Sequence, residues 1–350
     1  MEGPKEILLV RFSSLGDILL CMPLARALKE RLGARISWVV QYPISQFLLF
    51  QGLADEVLVF PRKAIEAHLR EGRWGAGLLM IRAFLKDVRR KRFDVLLDLH
   101  GCLKSAILSL FVRTERRIGL GKGFSKEMAH LFYMEKVNGE RRLHKVRRNM
   151  LFLGQLGIDG PVPEVEILVP KEKERVVDAF LNESSIEGPF LVVNPFSSRK
   201  GSFKRWPLES YEVLIKGLRQ RLGMDVVVVF GPEEKEEAEL LHKRLKGDLL
   251  LPPLFDLFEL AALFKRSALY IGGDSGITHL AALSGVPLVS IFGPTDHLIN
   301  GPYSKKAVVV RKDLPCSPCR KKDCKERKCL SAISPSEVLF CAEEILRGSP

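Results

Sequence analysis

Short apolar runs alternate along this chain with longer stretches whose apolar residues recur every three or four positions. The short runs fall at 6–10, 36–40, 56–60 and 94–99, and again at 190–194, 225–230, 248–251, 268–271 and 286–292. Between them, helical periodicity predicts helices over 15–32 and 84–91, then over 208–222, 233–246 and 257–265. Strand–helix alternation of this kind implies parallel sheets covered by helices on both faces, an α/β class of fold. The two series are separated by a proline-rich, strand-poor stretch at 158–170. Two doubly wound domains are therefore expected, at 1–165 and 166–334, with 335–350 left over. No short internal repeat or low-complexity tract disturbs this pattern.

In doubly wound domains ligands gather at the carboxyl ends of the strands, so the turns that follow them are where chemistry is sought. Four stand out: RFSSLGD (11–17), NPFSSRKGSFKRWP (194–207), FGPEEKEE (230–237) and IGGDSGITHLAALSGVPLVSIFGPTD (271–296). In the last, Gly272 and Gly273 stop a strand and a helix begins near Gly276. Asp274 and Ser275 are thereby left at the helix start, where Asp and Ser are favoured caps and where free N–H groups attract anions. Either use explains them. Lys204, beside Trp206–Pro207, and the amides after Gly273 together offer a phosphate site built from pieces. RFSSLGD holds one glycine, so it is not the dinucleotide fingerprint, and no phosphate-loop motif of the common ATPases occurs. Asp17, at the entry to the first long helix, is either a first-turn acid favoured by the helix dipole or a general base.

Composition narrows the field. The chain has 350 residues, 46% of them hydrophobic and 28% charged, as in a soluble globular protein of about two domains. No apolar run approaches the roughly 18 residues that span a bilayer, and the start lacks a basic region and cleavage site, so a cytoplasmic location is expected. The net charge of +13 is concentrated: residues 1–150 carry 28 Lys/Arg against 15 Asp/Glu, and 101–150 carry 12 against 4. So local a bias points the first domain toward an acidic substrate, a lipid surface or nucleic acid. Of seven cysteines, Cys316, Cys319, Cys324 and Cys329 form a C-x2-C-x4-C-x4-C cluster. That spacing is compatible with a tetrahedral zinc or iron–sulfur site. The paired CxxC…CxxC arrangement is missing, however, so a metal-free structural role stays open.

Five stretches in order resemble the lipopolysaccharide heptosyltransferases of glycosyltransferase family 9: RFSSLGDILLCMPLARAL (11–28), FDVLLDLHGCLKSA (93–106), SKEMAHLFY (125–133), FKRWP (203–207) and GGDSGITHLAALSGVPLVSIFGPTD (272–296). The resemblance implies a GT-B architecture of two Rossmann-like domains with a cleft between them, acceptor on the first and nucleotide-sugar on the second. It also implies a helix at about 335–346 that returns to the first domain. By position, Asp17 matches the catalytic base and Lys204 the lysine holding the donor diphosphate. Asp274 matches the acid on the sugar hydroxyls, Ser275 and Gly276 the phosphate-binding turn, and His279 lies in the same motif. Glu234 matches a ribose-binding glutamate. Lys104 and Lys126 match basic acceptor contacts, the latter an arginine in the family. The implied donor is ADP-heptose, and the implied acceptor is the anionic Kdo/heptose inner core of lipopolysaccharide. Transfer would take place at the cytoplasmic face of the inner membrane, on a peripherally bound enzyme. No cofactor is implied for transfer. A relative using another nucleotide-sugar, and a basic nucleic-acid-binding protein with a cysteine-rich tail, are the competing readings; the second leaves the Asp274 turn unexplained, and no nucleic acid is expected as partner.

Overall fold

The computed structural model describes residues 3–41 and 44–348. The chain divides between Val165 and Glu166 into two units, each built on one parallel sheet. In the first unit the strands are β1 (Glu6–Val10), β2 (Arg35–Val40), β3 (Glu56–Val59), β4 (Arg92–Asp98), β5 (Arg113–Leu120) and β6 (Glu135–Val137). Their order is β3-β2-β1-β4-β5-β6, with every pair parallel. Ile7, Leu8, Leu9 and Val10 are wholly buried, as are Leu96 and Leu97, because the sheet is covered on both faces. The strand order reverses between β1 and β4, where Val10 pairs with Asp98. A doubly wound sheet opens its binding crevice beyond such a reversal. RFSSLGD and the HGCLKSA turn both begin there.

Two helices differ from expectation. The span 15–32 is two helices, Leu15–Leu19 and Met22–Leu32. Pro23 lies in the first turn of the second, and its ring and missing N–H do not permit an uninterrupted helix through that point. The helix expected at 84–91 runs instead from Trp74 to Arg89. Phe84 and Val88 pin its second half onto the core beneath β1 and β4, while Gly75 and Gly77 weaken the helical signal of its first half. Strand β5 escaped notice because RTERRIGL is rich in charge, although it pairs on both sides.

The second unit contains β7 (Phe190–Asn194), β8 (Asp225–Val228), β9 (Leu269–Gly273), β10 (Leu288–Ile291) and β11 (Ala307–Val310), in the order β11-β10-β9-β7-β8. The run at 248–251 supplies a single parallel bridge, Val227 to Leu250, rather than a strand. Here the order reverses between β7 and β9, with Asn194 opposite Gly272. The helix Pro335–Leu346 is part of the second unit. Its apolar face is taken up there: Val338, Leu339 and Ala342 join the second core. Leu339 lies against Gly217, where an added Cβ would come within 3.0 Å, and Arg221 pairs with Glu343 at 2.8 Å.

Candidate active site

At the reversal in the second unit, the turns after β7 and β9 bring a cation to a helix start. The 3-10 turn Arg199–Lys204 carries the Lys204 Nζ to 3.2 Å from Asp274 Oδ2. Asp274 is buried and the same oxygen accepts a 2.7 Å hydrogen bond from Thr295 Oγ1, so GPTD holds the carboxylate from the far side. Ser275 caps the helix Gly276–Leu283, its Oγ accepting from the Thr278 amide. Asn194 Nδ2 donates to both Tyr270 Oη and Ser275 Oγ, at 3.2 and 3.4 Å, and Thr278 Oγ1 donates to the Gly273 carbonyl. This buried net fixes the turn without using the Gly276 and Ile277 amides, which lie in the first turn of the helix and have no partner within it. His279 is buried in the same helix. Arg205, next to Lys204, pairs with Glu234 at 3.4 Å and Glu237 at 2.9 Å. Glu234 is buried at the start of helix Lys235–Arg244 and accepts from the Gly231 amide. Burial pushes its carboxyl up, against the pull of Arg205.

At the reversal in the first unit the chemistry is that of one carboxylate among several cations. Asp17 lies 2.7 Å from Arg11 Nη2 and 2.6 Å from Lys145 Nζ, and accepts from Ser14 Oγ at 3.0 Å. Burial alone would raise its carboxyl; Arg11 and Lys145 more than reverse this and hold it well below the usual carboxylate range. Arg148 adds a third cation close by, with burial and Arg11 both opposing its charge. Lys145 is only partly offset by Asp17: burial pulls its ammonium below the ordinary lysine range, and Arg11 and Arg148 add to this. The turn after β4 is built on Asp98, whose carboxylate accepts from the His100 and Gly101 amides and from Tyr133 Oη. Gly101 has φ +64°, and a Cβ there would come within 2.7 Å of Leu120. That turn delivers His100, whose imidazole is lowered to about 3 by burial first and then by Arg11 and Lys126. It is neutral at physiological pH.

Comparison with known proteins decides the family. The model of glycosyltransferase family 9 (heptosyltransferase) matches residues 81–330. The chain belongs to glycosyltransferase family 9. Lipopolysaccharide heptosyltransferase 1 of Pseudomonas aeruginosa is 29% identical over 326 residues, covering 91% of this chain and 87% of that protein. Escherichia coli heptosyltransferase WaaC, solved with ADP, superposes with a TM-score of 0.76 at 24% identity over 97% of this chain and 99% of its own. The same protein has also been solved with ADP-2-deoxy-2-fluoro heptose. A family 9 transferase from Veillonella parvula gives 0.82 at 23% identity, covering 99% and 98%. These likenesses show the GT-B fold of the heptosyltransferases.

In this family 9 chain, then, Lys204, Asp274, Ser275 and Gly276 come together at one strand reversal, and Asp17 stands at the other. Glu234 is tied to the first group through Arg205. Lys126 is exposed but near enough for its charge to act on His100, whereas Lys104 is exposed on the first turn of helix Leu103–Leu110. Sequence reasoning missed Arg11, Lys145, Thr295 and Arg205. Arg11 and Thr295 lay inside the quoted motifs, and Arg205 beside a chosen residue; Lys145 carried no local signal, because it is 128 positions from its partner. The cysteine loop also belongs here. The Cys319 and Arg320 amides donate to the Pro294 carbonyl at 3.0 and 2.8 Å, and Ser317 Oγ donates to that of Gly293. The loop therefore braces GPTD from behind. Burial raises the Cys329 thiol, and the other three thiols are close enough to add to this. Among the described residues, however, no three His, Cys, Asp or Glu side chains are arranged to hold a metal ion.

Proposed function

We propose that this enzyme transfers L-glycero-D-manno-heptose from ADP-heptose to the Kdo/heptose inner core of lipopolysaccharide, in a single displacement that inverts the anomeric centre. The observation that carries the reading is the Lys204 ammonium held beside the start of helix Gly276–Leu283, a site for a diphosphate. The acceptor oxygen attacks the anomeric carbon and gives its proton to Asp17 as the bond from that carbon to the diphosphate oxygen breaks. The charge left on ADP is met by Lys204 and the amides of Ser275 and Gly276. Asp274 accepts hydrogen bonds from heptose hydroxyls, with Thr295 fixing its orientation, and Glu234 meets the ribose. Arg11, Lys145, Arg148 and Lys126, with the exposed Lys104, suit an acceptor that carries carboxylates or phosphates. No cofactor takes part, and the cysteine loop has a structural role. The substrate places the enzyme at the cytoplasmic face of the inner membrane, bound peripherally; among the described residues no helix is long and apolar enough to cross it.

The ADP-bound relatives support the donor, and the named activity of the Pseudomonas relative supports the acceptor. The test is to incubate the protein with ADP-heptose and either Kdo2-lipid A or a heptosylated core, reading product mass and, by NMR, the anomeric configuration. Absence of a heptose mass increment on both acceptors would end the proposal. A retained configuration would end the single displacement.

A further inference from the structure

The helix Trp74–Arg89 is anchored at one end only. Its second half is held by Phe84 and Val88, but its first half leaves Trp74, Leu78 and Leu79 exposed by 69, 50 and 68%. Large apolar side chains grouped at that exposure mark an interaction surface. About 12 Å further along the helix, at 1.5 Å per residue, a surface depression of about 540 Å³ is lined by Arg82, Lys86, Arg89, Arg90 and Arg113, with Phe111 at its wall. Arg90 has the nearby Asp87 at 3.3 Å. None of the other four cations has an ion-pair partner among the described residues. Arg82, Lys86 and Arg90 succeed one another at i, i+4, a spacing at which like charges destabilise a helix. Beyond the depression, Ile107, Leu110 and Phe111 are again exposed, by 42, 49 and 40%. The surface thus alternates apolar anchors, cations of which four are unpaired among the described residues, and apolar anchors.

We propose that this surface is the membrane-binding face of the enzyme: the cations meet anionic lipid headgroups while Trp74, Leu78 and Leu79 enter the interfacial layer. Anionic leaflets attract basic residues close to the surface, and tryptophan favours the boundary between headgroups and acyl chains. A second copy of the chain is a poor occupant. A two-fold interface would set the same five cations against themselves, with one acid, already paired, to offset them. The proposal deepens the peripheral location inferred above and rests on it.

The three tryptophans of the chain make the test direct, because Trp38 and Trp206 are 0 and 2% exposed and only Trp74 can change its surroundings on binding. The full chain is mixed with phosphatidylglycerol/phosphatidylethanolamine vesicles or with pure phosphatidylcholine vesicles, and sedimentation and tryptophan emission are recorded. The expected result is co-sedimentation with the anionic vesicles alone, with a blue shift in emission, both lost at about 1 M salt, where charges are screened within about 3 Å. Lys86→Glu combined with Arg89→Glu should lower the bound fraction at least about tenfold, and Trp74→Phe should remove the emission change but leave binding. Equal binding to neutral vesicles, parental binding by the charge-reversed variant, or a blue shift that follows protein concentration without vesicles would each overturn the proposal, the last in favour of self-association. Transfer to a water-soluble core oligosaccharide lacking acyl chains should be unchanged in all these variants. Failure of the membrane surface and failure of the heptosyltransferase reading are therefore seen separately.

Discussion

Asp17→Asn probes the first unit most sharply, because the structure gives the carboxylate two duties. It neutralises Arg11 and Lys145 at 2.7 and 2.6 Å, with Arg148 near, and it is the proposed base. Breaking a buried ion pair costs about 3–5 kcal/mol, and side-chain exposures of 18% for Asp17 and 21% for Lys145 place the expected loss near the lower end, about 3 kcal/mol. For a unit of this size that is a fall in Tm of roughly 6–12 °C. The carboxyl is held below its unfolded value of about 3.9, so its stabilising contribution is complete above about pH 4 and is lost as pH falls through the folded value. The gap between parent and variant should accordingly narrow in acid. Transfer should fall by about 10²–10⁴-fold if a general base has been removed. ADP affinity should hold, since the proposed donor residues belong to the second unit. Asp17→Asn with Lys145→Gln separates the duties: removing the surplus cation should restore much of the Tm without restoring the rate. Were the rate to return together with the Tm, Asp17 would be a structural counter-charge, and Asp274 would be the next carboxylate to test.

Three further expectations follow from the same geometry. Lys204→Ala removes the proposed charge-assisted contact to the diphosphate, a class worth about 1.5–3 kcal/mol, so calorimetry should show ADP binding weakened by roughly 10–150-fold; parental affinity would remove Lys204 from the site. Lys145→Gln takes away one of the two cations that depress Asp17, so the acid limb of the kcat/KM profile for acceptor should move to higher pH. A limb that stays in place means Lys145 does not govern that carboxylate. Because the cysteine loop reaches GPTD through backbone and Ser317 hydrogen bonds, chelator treatment should leave ADP binding intact. Stoichiometric zinc or iron lost together with ADP affinity would show instead that a metal holds the loop.

Much of this protein was legible in one dimension. The run ILLV and its counterparts had to be buried parallel strands, since nothing in them can face water; the αL glycines Gly33 and Gly223 end the helices Met22–Leu32 and Leu208–Leu222. Ser275 was identifiable because a cap depends on residues adjacent in the chain. Where a strand escaped notice, the deciding contact was remote. Strand β5 is a strand because β4 and β6 flank it, although its own charges argue otherwise. The helix at Pro335–Leu346 has an apolar face that the second core buries. Only folding sets Lys145 on Asp17 and Thr295 on Asp274, and so determines how basic the one carboxylate is and which way the other points. Backbone propensity is local and can be read in order along a sequence. The free energy of a charge depends on every charge and dipole within several ångströms, and the chain does not bring those together until it has folded.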